Sequence, residues 1–191
     1  MSTADPHDTV DQGDEVGLAR LDHLIRSIPD WPKPGVVFKD ITPLLNDPAG
    51  LALAVEYLTQ PFRGKGIELV AGAESRGFIF GTAVATALSA GFVPIRKPGK
   101  LPAETHTEEY ELEYGTDSLE IHTDAVQRGQ RVLMVDDLLA TGGTLAASCR
   151  LVESLGGTIV GVAVLIELEF LGGRRQLAQY PLHSILKVAG E

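Results

Sequence analysis

Two adjacent carboxylates stand before a short run of small and hydroxylated residues. Asp136 and Asp137 follow four apolar residues, 132–135, and precede the stretch Ala140-Thr141-Gly142-Gly143-Thr144. Backbone N–H groups of such a stretch at a helix start, together with threonine hydroxyls, form an anion site. Carboxylates beside a bound phosphate would repel it unless they accept hydrogen bonds from sugar hydroxyls or hold Mg²⁺. The alternative is a surface strand–turn–helix with capping acids and threonines.

Cationic side chains follow two further predicted strands. Arg76, in the turn Glu74-Ser75-Arg76, stands at a strand's carboxyl end beside a helix start, which suits a pyrophosphate group. Arg96, Lys97 and Lys100 could neutralise a leaving pyrophosphate or could form a solvated face.

Apolar runs and helical periodicities alternate along the chain. Apolar residues at helical spacing from Leu18 to Ile28 predict a helix that Pro29 ends, and Asp47-Pro48 predicts the start of another. This alternation predicts an α/β fold with a mostly parallel twisted sheet flanked by helices and with ligands at the strands' carboxyl ends. The further predicted elements are strands at 67–72, 92–96, 131–135 and 158–166, and helices at 77–90 and 144–155.

Composition limits the class of protein. The chain has 191 residues, one cysteine and a formal net charge of −10, which argues against a disulfide framework, a general nucleic-acid binder and a polybasic membrane surface. The sequence contains no window of about 18 consecutive apolar residues and no signal peptide pattern, so we expect a cytoplasmic protein without a membrane partner. Residues 1–16 hold five acids and no Lys or Arg, which predicts a disordered tail before a single domain at 17–191.

A second acidic run covers residues 101–124. It contains eight carboxylates and no Lys or Arg. Residues 110–114 and 118–122 predict a hairpin or flap whose outer acids, Glu104, Glu108, Glu109 and Glu111, are solvated. A separate stretch, PGVVFK at 34–39, offers an aromatic ring between extended backbone segments, which could stack on a base or could pack in the core.

Four blocks of the chain resemble one enzyme family. The segment VLMVDDLLATGGT is similar to the phosphoribosyl-pyrophosphate motif of type I phosphoribosyltransferases. Together with IPDWPKPGVVFKDITPLL, AGAESRGFIFG and the long block from IRKPGK to IHTDA, it resembles the adenine phosphoribosyltransferase family over roughly residues 20–188.

The resemblance implies transfer of a phosphoribosyl group from phosphoribosyl pyrophosphate to adenine, which gives AMP and pyrophosphate. It also implies Mg²⁺ carried by the substrate, with Asp136 and Asp137 as possible ligands, a homodimer, and a cis peptide bond between Glu74 and Ser75. A hood segment at about 29–45 and a mobile flap at about 98–124 are expected. The implied residues are Glu113 as general acid/base with Tyr114 beside it in the flap; Asp136, Asp137, Ala140, Thr141, Gly142, Gly143 and Thr144 for the phosphoribosyl group; Glu74, Ser75, Arg76, Arg96, Lys97 and Lys100 for pyrophosphate; and Val37, Phe38 and Lys39 for adenine.

Two other functions stay open on sequence. One is transfer to xanthine, hypoxanthine or guanine, against which the PGVVFK block argues. The other is a non-enzymatic regulator that keeps the fold as a sensor, against which the short acidic N-terminal segment argues. Lys39 stands where many members of the family have Arg, which makes a side-chain contact to the base less secure.

Overall fold

The computed structural model describes residues 12–111 and 116–190. The helices are α1 (Gln12–His23), α2 (Thr42–Asn46), α3 (Pro48–Thr59), α4 (Arg76–Leu88) and α5 (Gly143–Ser154). The strands are β1 (Arg26–Ile28), β2 (Phe38–Asp40), β3 (Leu69–Ala73), β4 (Gly91–Ile95), β5 (Thr105–Glu111), β6 (Thr116–His122), β7 (Arg131–Leu139), β8 (Thr158–Leu168) and β9 (Leu182–Val188). Short 3-10 turns lie at Gln60–Phe62, Glu169–Leu171 and Gly173–Leu177.

Contacts within the chain divide it after Ala54 into two compact units. In the first unit β1 and β2 pair as antiparallel strands, and Arg26 donates to Asp40 across them at 2.8 Å. Asp40 also accepts from the backbone N–H of Thr42 at 2.9 Å, which joins the end of β2 to the start of α2. That N–H bond is the main reason why the pKa of Asp40 lies below its usual value.

The second unit is built on a five-stranded parallel sheet in the order β4-β3-β7-β8-β9. The chain leaves β3 through α4 to reach β4 on one side, and it leaves β7 through α5 to reach β8 on the other side. Because the direction of winding reverses between β3 and β7, a crevice forms at the carboxyl ends of these two strands. The predicted parallel sheet flanked by helices is confirmed.

The core of the second unit follows from strands that are apolar on both faces. Residues 132–135 of β7 and 162–165 of β8 are fully buried, as expected for central strands of a parallel sheet. Small side chains such as Ala146, Ala147 and Cys149 allow α5 to pack closely, and they are almost inaccessible to solvent. Burial raises the pKa of the Cys149 thiol, so this residue is a packing element without reactive character.

The predicted flap is a hairpin in the described residues. β5 and β6 pair as antiparallel strands from Thr105 with His122 to Glu111 with Thr116. Its base is anchored in the core, since Leu119 and Ile121 are buried. The prediction that the flap acids are all solvated is wrong for Glu108, because its carboxylate pairs with Arg150 of α5 at 2.5 Å.

Three expectations about the elements need correction. Of the predicted tail 1–16, residues 1–11 lie outside the described residues, whereas residues 12–16 belong to α1, whose first-turn acids Asp14 and Glu15 suit a helix N-terminus. The predicted helix 18–28 ends at His23, since residues 26–28 pair with β2 instead. β7 continues beyond residue 135 to Leu139, so the two carboxylates lie within the strand, and strand β9 was not anticipated.

Among residues 12–111 and 116–190, no helix is both long and apolar enough to cross a membrane. The assignment of residues 17–191 to one domain stays a prediction.

Candidate active site

A cleft of about 210 Å³ opens at the carboxyl ends of β3 and β7. Because Gly72 of β3 pairs with Val135 of β7, the residues that follow each strand meet at the same edge of the sheet. Glu74, Arg76 and the carboxylates at 136–137 line the cleft together with residues 138–145, which lead into α5. The structure therefore brings two separately predicted groups of site residues together.

The turn after β3 has the expected cis peptide bond. The bond between Glu74 and Ser75 is cis although no proline follows it, as the resemblance implies. Arg76 is the first residue of α4, so its side chain starts from the helix N-terminus that faces the crevice. Arg96 reaches this turn from the end of β4, and its Nε donates to Glu74 Oε2 at 2.7 Å.

Asp136 and Asp137 form a buried carboxylate pair. The backbone N–H of Asp137 donates to Asp136 Oδ1 at 2.9 Å, and Gly77 leaves just enough room for that oxygen. Asp137 Oδ2 lies 2.8 Å from Arg76 Nε as an ion pair. The contact lacks hydrogen-bond geometry, so this buried oxygen has no hydrogen-bond partner among the described residues.

Burial dominates the electrostatics of the pair. It raises the pKa of Asp136 well above its usual value, and the neighbouring Asp137 charge raises this pKa further. Burial also raises the pKa of Asp137, while the charge of Arg76 partly offsets the rise. A sugar hydroxyl that donates to Asp137 Oδ2 would supply the hydrogen bond that this oxygen lacks among the described residues.

The loop from Ala140 to Thr144 connects β7 to α5 and has a compact backbone. Gly142 has a φ of +88°, which a residue with a side chain rarely adopts, and it directly precedes the helix. Thr141 is exposed, and Thr144 Oγ1 lies 3.4 Å from Tyr110 Oη. The N-terminus of a twelve-residue helix and two hydroxyls thus face one end of the cleft.

The remaining predicted cations differ in their surroundings. Lys97 forms an ion pair with Asp117 of the flap hairpin and lies 3.4 Å from Tyr110 Oη. Although partial burial disfavours its charged form, the bonds with Asp117 and Tyr110 raise the pKa of Lys97 above its usual value. Lys100 is exposed and has no ion-pair partner in the described part of the chain. Neither residue lines the cleft described above.

Comparison with known proteins identifies the family. The sequence pattern of the phosphoribosyl transferase domain matches residues 42–183. The adenine phosphoribosyltransferase of Koribacter versatilis is 59% identical over 166 residues, which cover 87% of this chain and 91% of that protein. The chain belongs to the adenine phosphoribosyltransferase family. It is a pentosyltransferase. The enzyme of the same name from Nitrosococcus oceani is 58% identical over 169 residues, which cover 88% of this chain and 99% of that protein.

Solved structures of adenine phosphoribosyltransferases have the same fold. The crystal structure from Rhodothermus marinus matches with a TM-score of 0.88 at 53% identity and covers 91% of this chain and 99% of its own. The Saccharomyces cerevisiae structure matches with a TM-score of 0.85 at 38% identity and covers 90% of this chain and 99% of its own. That protein is complexed with adenine and D-2,5-dideoxy-2,5-imino-altritol 1,6-bisphosphate.

The residues predicted to bind adenine lie in the unit that ends at Ala54. Val37 precedes β2, and Phe38 and Lys39 belong to it, all three half-buried. The Phe38 ring contacts Trp31 edge to face, with centroids 4.3 Å apart. Lys39 Nζ donates to Ser27 Oγ at 2.9 Å, so this side chain already has a partner on β1.

Glu113 and Tyr114 lie outside the described residues. Their roles as the general acid/base and its flap neighbour stay predictions.

Sequence reasoning missed how the flap hairpin is fastened. Tyr110 Oη donates to Asp117 Oδ2 at 3.2 Å, and Lys97, from the loop after β4, completes this three-residue contact with the hairpin. The signal available in the sequence was weak, because Asp117 was one acid among eight in residues 101–124. The backbone contact between the loop at 140–142 and Gly173 was also missed, since no motif marks residues 172–177.

Proposed function

We propose that this chain transfers the phosphoribosyl group of phosphoribosyl pyrophosphate to N9 of adenine and releases pyrophosphate and AMP. The observation that carries the proposal is the pairing of two buried carboxylates with a helix N-terminus in one cleft, at the switch point of the sheet. This arrangement offers hydrogen-bond acceptors for a ribose next to donors for its 5′-phosphate.

The loop Ala140-Thr141-Gly142-Gly143-Thr144 binds the 5′-phosphate in this proposal. Its N–H groups at the start of α5 and its hydroxyls donate to the phosphate oxygens. Asp136 and Asp137 hold the ribose through its hydroxyls. The Arg76 guanidinium, 2.8 Å from Asp137, offsets part of the negative charge that the neighbouring phosphate would meet.

Magnesium fits this site as a companion of the substrate. No group of three or more Asp, Glu, His or Cys side chains that could hold a metal occurs among the residues the structure describes. Mg²⁺ prefers about six oxygen ligands and commonly takes them from one or two carboxylates, phosphates and water. Asp136 and Asp137 offer carboxylate oxygens of this kind, one of them without a hydrogen-bond partner. When bound, the metal would neutralise charge on the pyrophosphate.

The pyrophosphate is held by the turn Glu74-Ser75-Arg76 and by Arg96, which the ion pair with Glu74 places beside that turn. Arg76 lines the cleft directly. Lys97 and Lys100 add positive charge from the loop after β4. As the C1′–oxygen bond breaks, these cations stabilise the charge of the departing group.

Adenine binds against Phe38, and the backbone N–H and C=O of Val37 read its N1 and 6-amino group. Lys39 contributes less, because its ammonium bonds Ser27. Glu113 manages the proton at the imidazole edge, and Tyr114 lies beside it. The protein acts as a cytoplasmic homodimer without nucleic acid or membrane partners. Size-exclusion chromatography with light scattering tests the dimer.

The test is product formation from phosphoribosyl pyrophosphate and Mg²⁺ with adenine, hypoxanthine, guanine or xanthine. We expect AMP from adenine and no product from the three oxopurines, since a buried hydrogen-bond mismatch discriminates by about 10⁴–10⁵. Turnover of an oxopurine would contradict the base assignment. Binding of phosphoribosyl pyrophosphate without turnover of any base would instead indicate a sensor.

A further inference from the structure

The loop at residues 140–144, called the phosphate loop after its role in the proposed function, rests against the backbone of a distant segment of the same unit. A Cβ placed on Gly142 would lie 2.6 Å from the carbonyl oxygen of Gly173. A Cβ placed on Gly173 would lie 2.2 Å from the carbonyl oxygen of Ala140 and 2.9 Å from the nitrogen of Gly142. The backbone of residues 140–142 therefore contacts the backbone of Gly173 directly, with no side chain between them.

The segment that supplies Gly173 is held by a buried carboxylate. Glu167, near the end of β8, is 3% exposed and accepts from both Nε and Nη2 of Arg174, at 2.8 and 2.5 Å. Ser184 of β9 donates to the same carboxylate at 2.5 Å. The bonds from Arg174 are the main reason why the pKa of Glu167 lies below its usual value.

The other end of the segment is fixed as well. Leu177 is 1% exposed and belongs to the main apolar cluster. Tyr180 Oη donates to Glu153 at 3.0 Å, and Glu153 is part of α5, the helix that the phosphate loop opens. The sheet and α5 thus both hold residues 173–180, and the position of Gly173 is set from both sides.

We propose that Gly173 and Arg174 are positioning residues for the phosphate site. This inference rests on the proposed function, in which the loop 140–144 binds the 5′-phosphate. An anion site built from backbone N–H groups depends on the direction in which these groups point. A glycine-rich loop has few side-chain contacts of its own that could fix the orientation of its backbone. The contact with Gly173 supplies that constraint, and the bidentate pair of Arg174 with Glu167 holds Gly173 in place.

The experiment measures binding of ribose 5-phosphate and of pyrophosphate, both with Mg²⁺, by calorimetry on the full chain. In Gly173→Ala we expect the dissociation constant of ribose 5-phosphate to rise about tenfold or more and that of pyrophosphate to change less than about twofold. Gly91→Ala is the matched control, because its Cβ would meet a leucine side-chain end, Leu69 Cδ2 at 2.9 Å, which can move.

A second variant covers the case in which Gly173→Ala does not fold. Arg174→Lys keeps the positive charge but loses the bidentate hydrogen bonds to Glu167. We expect a smaller loss of ribose 5-phosphate affinity, about threefold, again without loss of pyrophosphate affinity. Arg175→Lys, the neighbouring exposed arginine, is its control.

The outcomes separate the inference from the proposed function. Failure of the unaltered protein to bind ribose 5-phosphate would contradict the proposed function itself. Normal binding by the unaltered protein, with either no change in the variants or an equal loss of both ligands, would overturn the positioning role alone. A general loss of stability lowers the affinity for both ligands, whereas a displaced phosphate loop lowers the affinity for ribose 5-phosphate alone.

Discussion

Replacing Asp137 by Asn tests the central assignment of the site. The substitution keeps the shape of the side chain but removes its charge and one acceptor oxygen. In the proposed complex Asp137 accepts a ribose hydroxyl through the oxygen that otherwise lacks a hydrogen-bond partner. A hydrogen bond to a charged group contributes about 1.5–3 kcal/mol, so its loss weakens AMP binding about tenfold to a hundredfold.

The same variant is expected to fold with little change in stability. The substitution breaks the ion pair with Arg76, but the Arg76 side chain is 38% exposed and stays hydrated, while the Asp137 side chain is 6% exposed. Loss of the pair therefore costs little, and removal of a buried charge whose pKa is raised by desolvation acts in the opposite direction. We expect the free energy of unfolding to stay within about 1 kcal/mol of the original value.

The assay combines urea denaturation with calorimetric titration of AMP and of pyrophosphate with Mg²⁺. Glu169→Gln is the control, because its ion pair with Lys187 at 3.4 Å lies on the surface. AMP affinity within about twofold of the original would refute the ribose contact. A loss of more than about 3 kcal/mol in unfolding free energy, with both ligands weakened alike, would show that Asp137 is structural instead.

Three further predictions concern neighbouring groups. Burial raises the pKa of Asp136 above 3.8, so the folded state favours the protonated carboxyl group. The stabilisation from this protonated group is complete below pH 3.8 and is lost as pH rises through the raised pKa. Asp136→Asn stays neutral at every pH, so in urea denaturation its stability relative to the original protein should increase as pH rises. Lys97→Gln and Asp117→Asn should be non-additive by about 0.5 kcal/mol in a double-mutant cycle of unfolding free energy, a low value because Lys97 is 39% exposed; additive effects would contradict the contact. Gly142→Ala should cost at least about 1 kcal/mol in unfolding free energy and should weaken AMP, since a side chain there meets both a positive φ and the Gly173 carbonyl; unchanged thermal stability would contradict this.

The parallel sheet and its cleft could be predicted because both depend on patterns local in sequence. Four consecutive apolar residues at 132–135 identify a buried strand, and the run from Ala140 to Thr144 identifies the helix start that follows. A parallel sheet places the carboxyl ends of its strands at one edge, and the pairing of β3 with β7 in the structure makes these two ends neighbours. The position of the carboxylates was less well predicted, because β7 extends to Leu139 through bonds to β8 that no local pattern reports.

The contacts that fasten the flap and the phosphate loop could not be predicted, because they join residues far apart in sequence. Glu108 and Arg150 are separated by 42 positions, and each looks like an ordinary surface charge in its own context. Residues 26–28 fit a helical pattern equally well until their pairing with β2 decides between helix and strand. Local propensity is a weak guide wherever such tertiary pairing is available.

The ion pairs beside the cleft affect how it would bind the pyrophosphate of the proposed function. The two guanidinium groups nearest the turn after β3 each have a carboxylate partner, Asp137 for Arg76 and Glu74 for Arg96. Each carboxylate neutralises part of the charge of its arginine and fixes the position of that side chain. In the proposed complex, pyrophosphate competes with these carboxylates for donors already in place, so less side-chain entropy would be lost on binding than with mobile arginines. Because both carboxylates neutralise part of the charge of the two arginines, Mg²⁺ bound as proposed would add positive charge that these side chains do not supply.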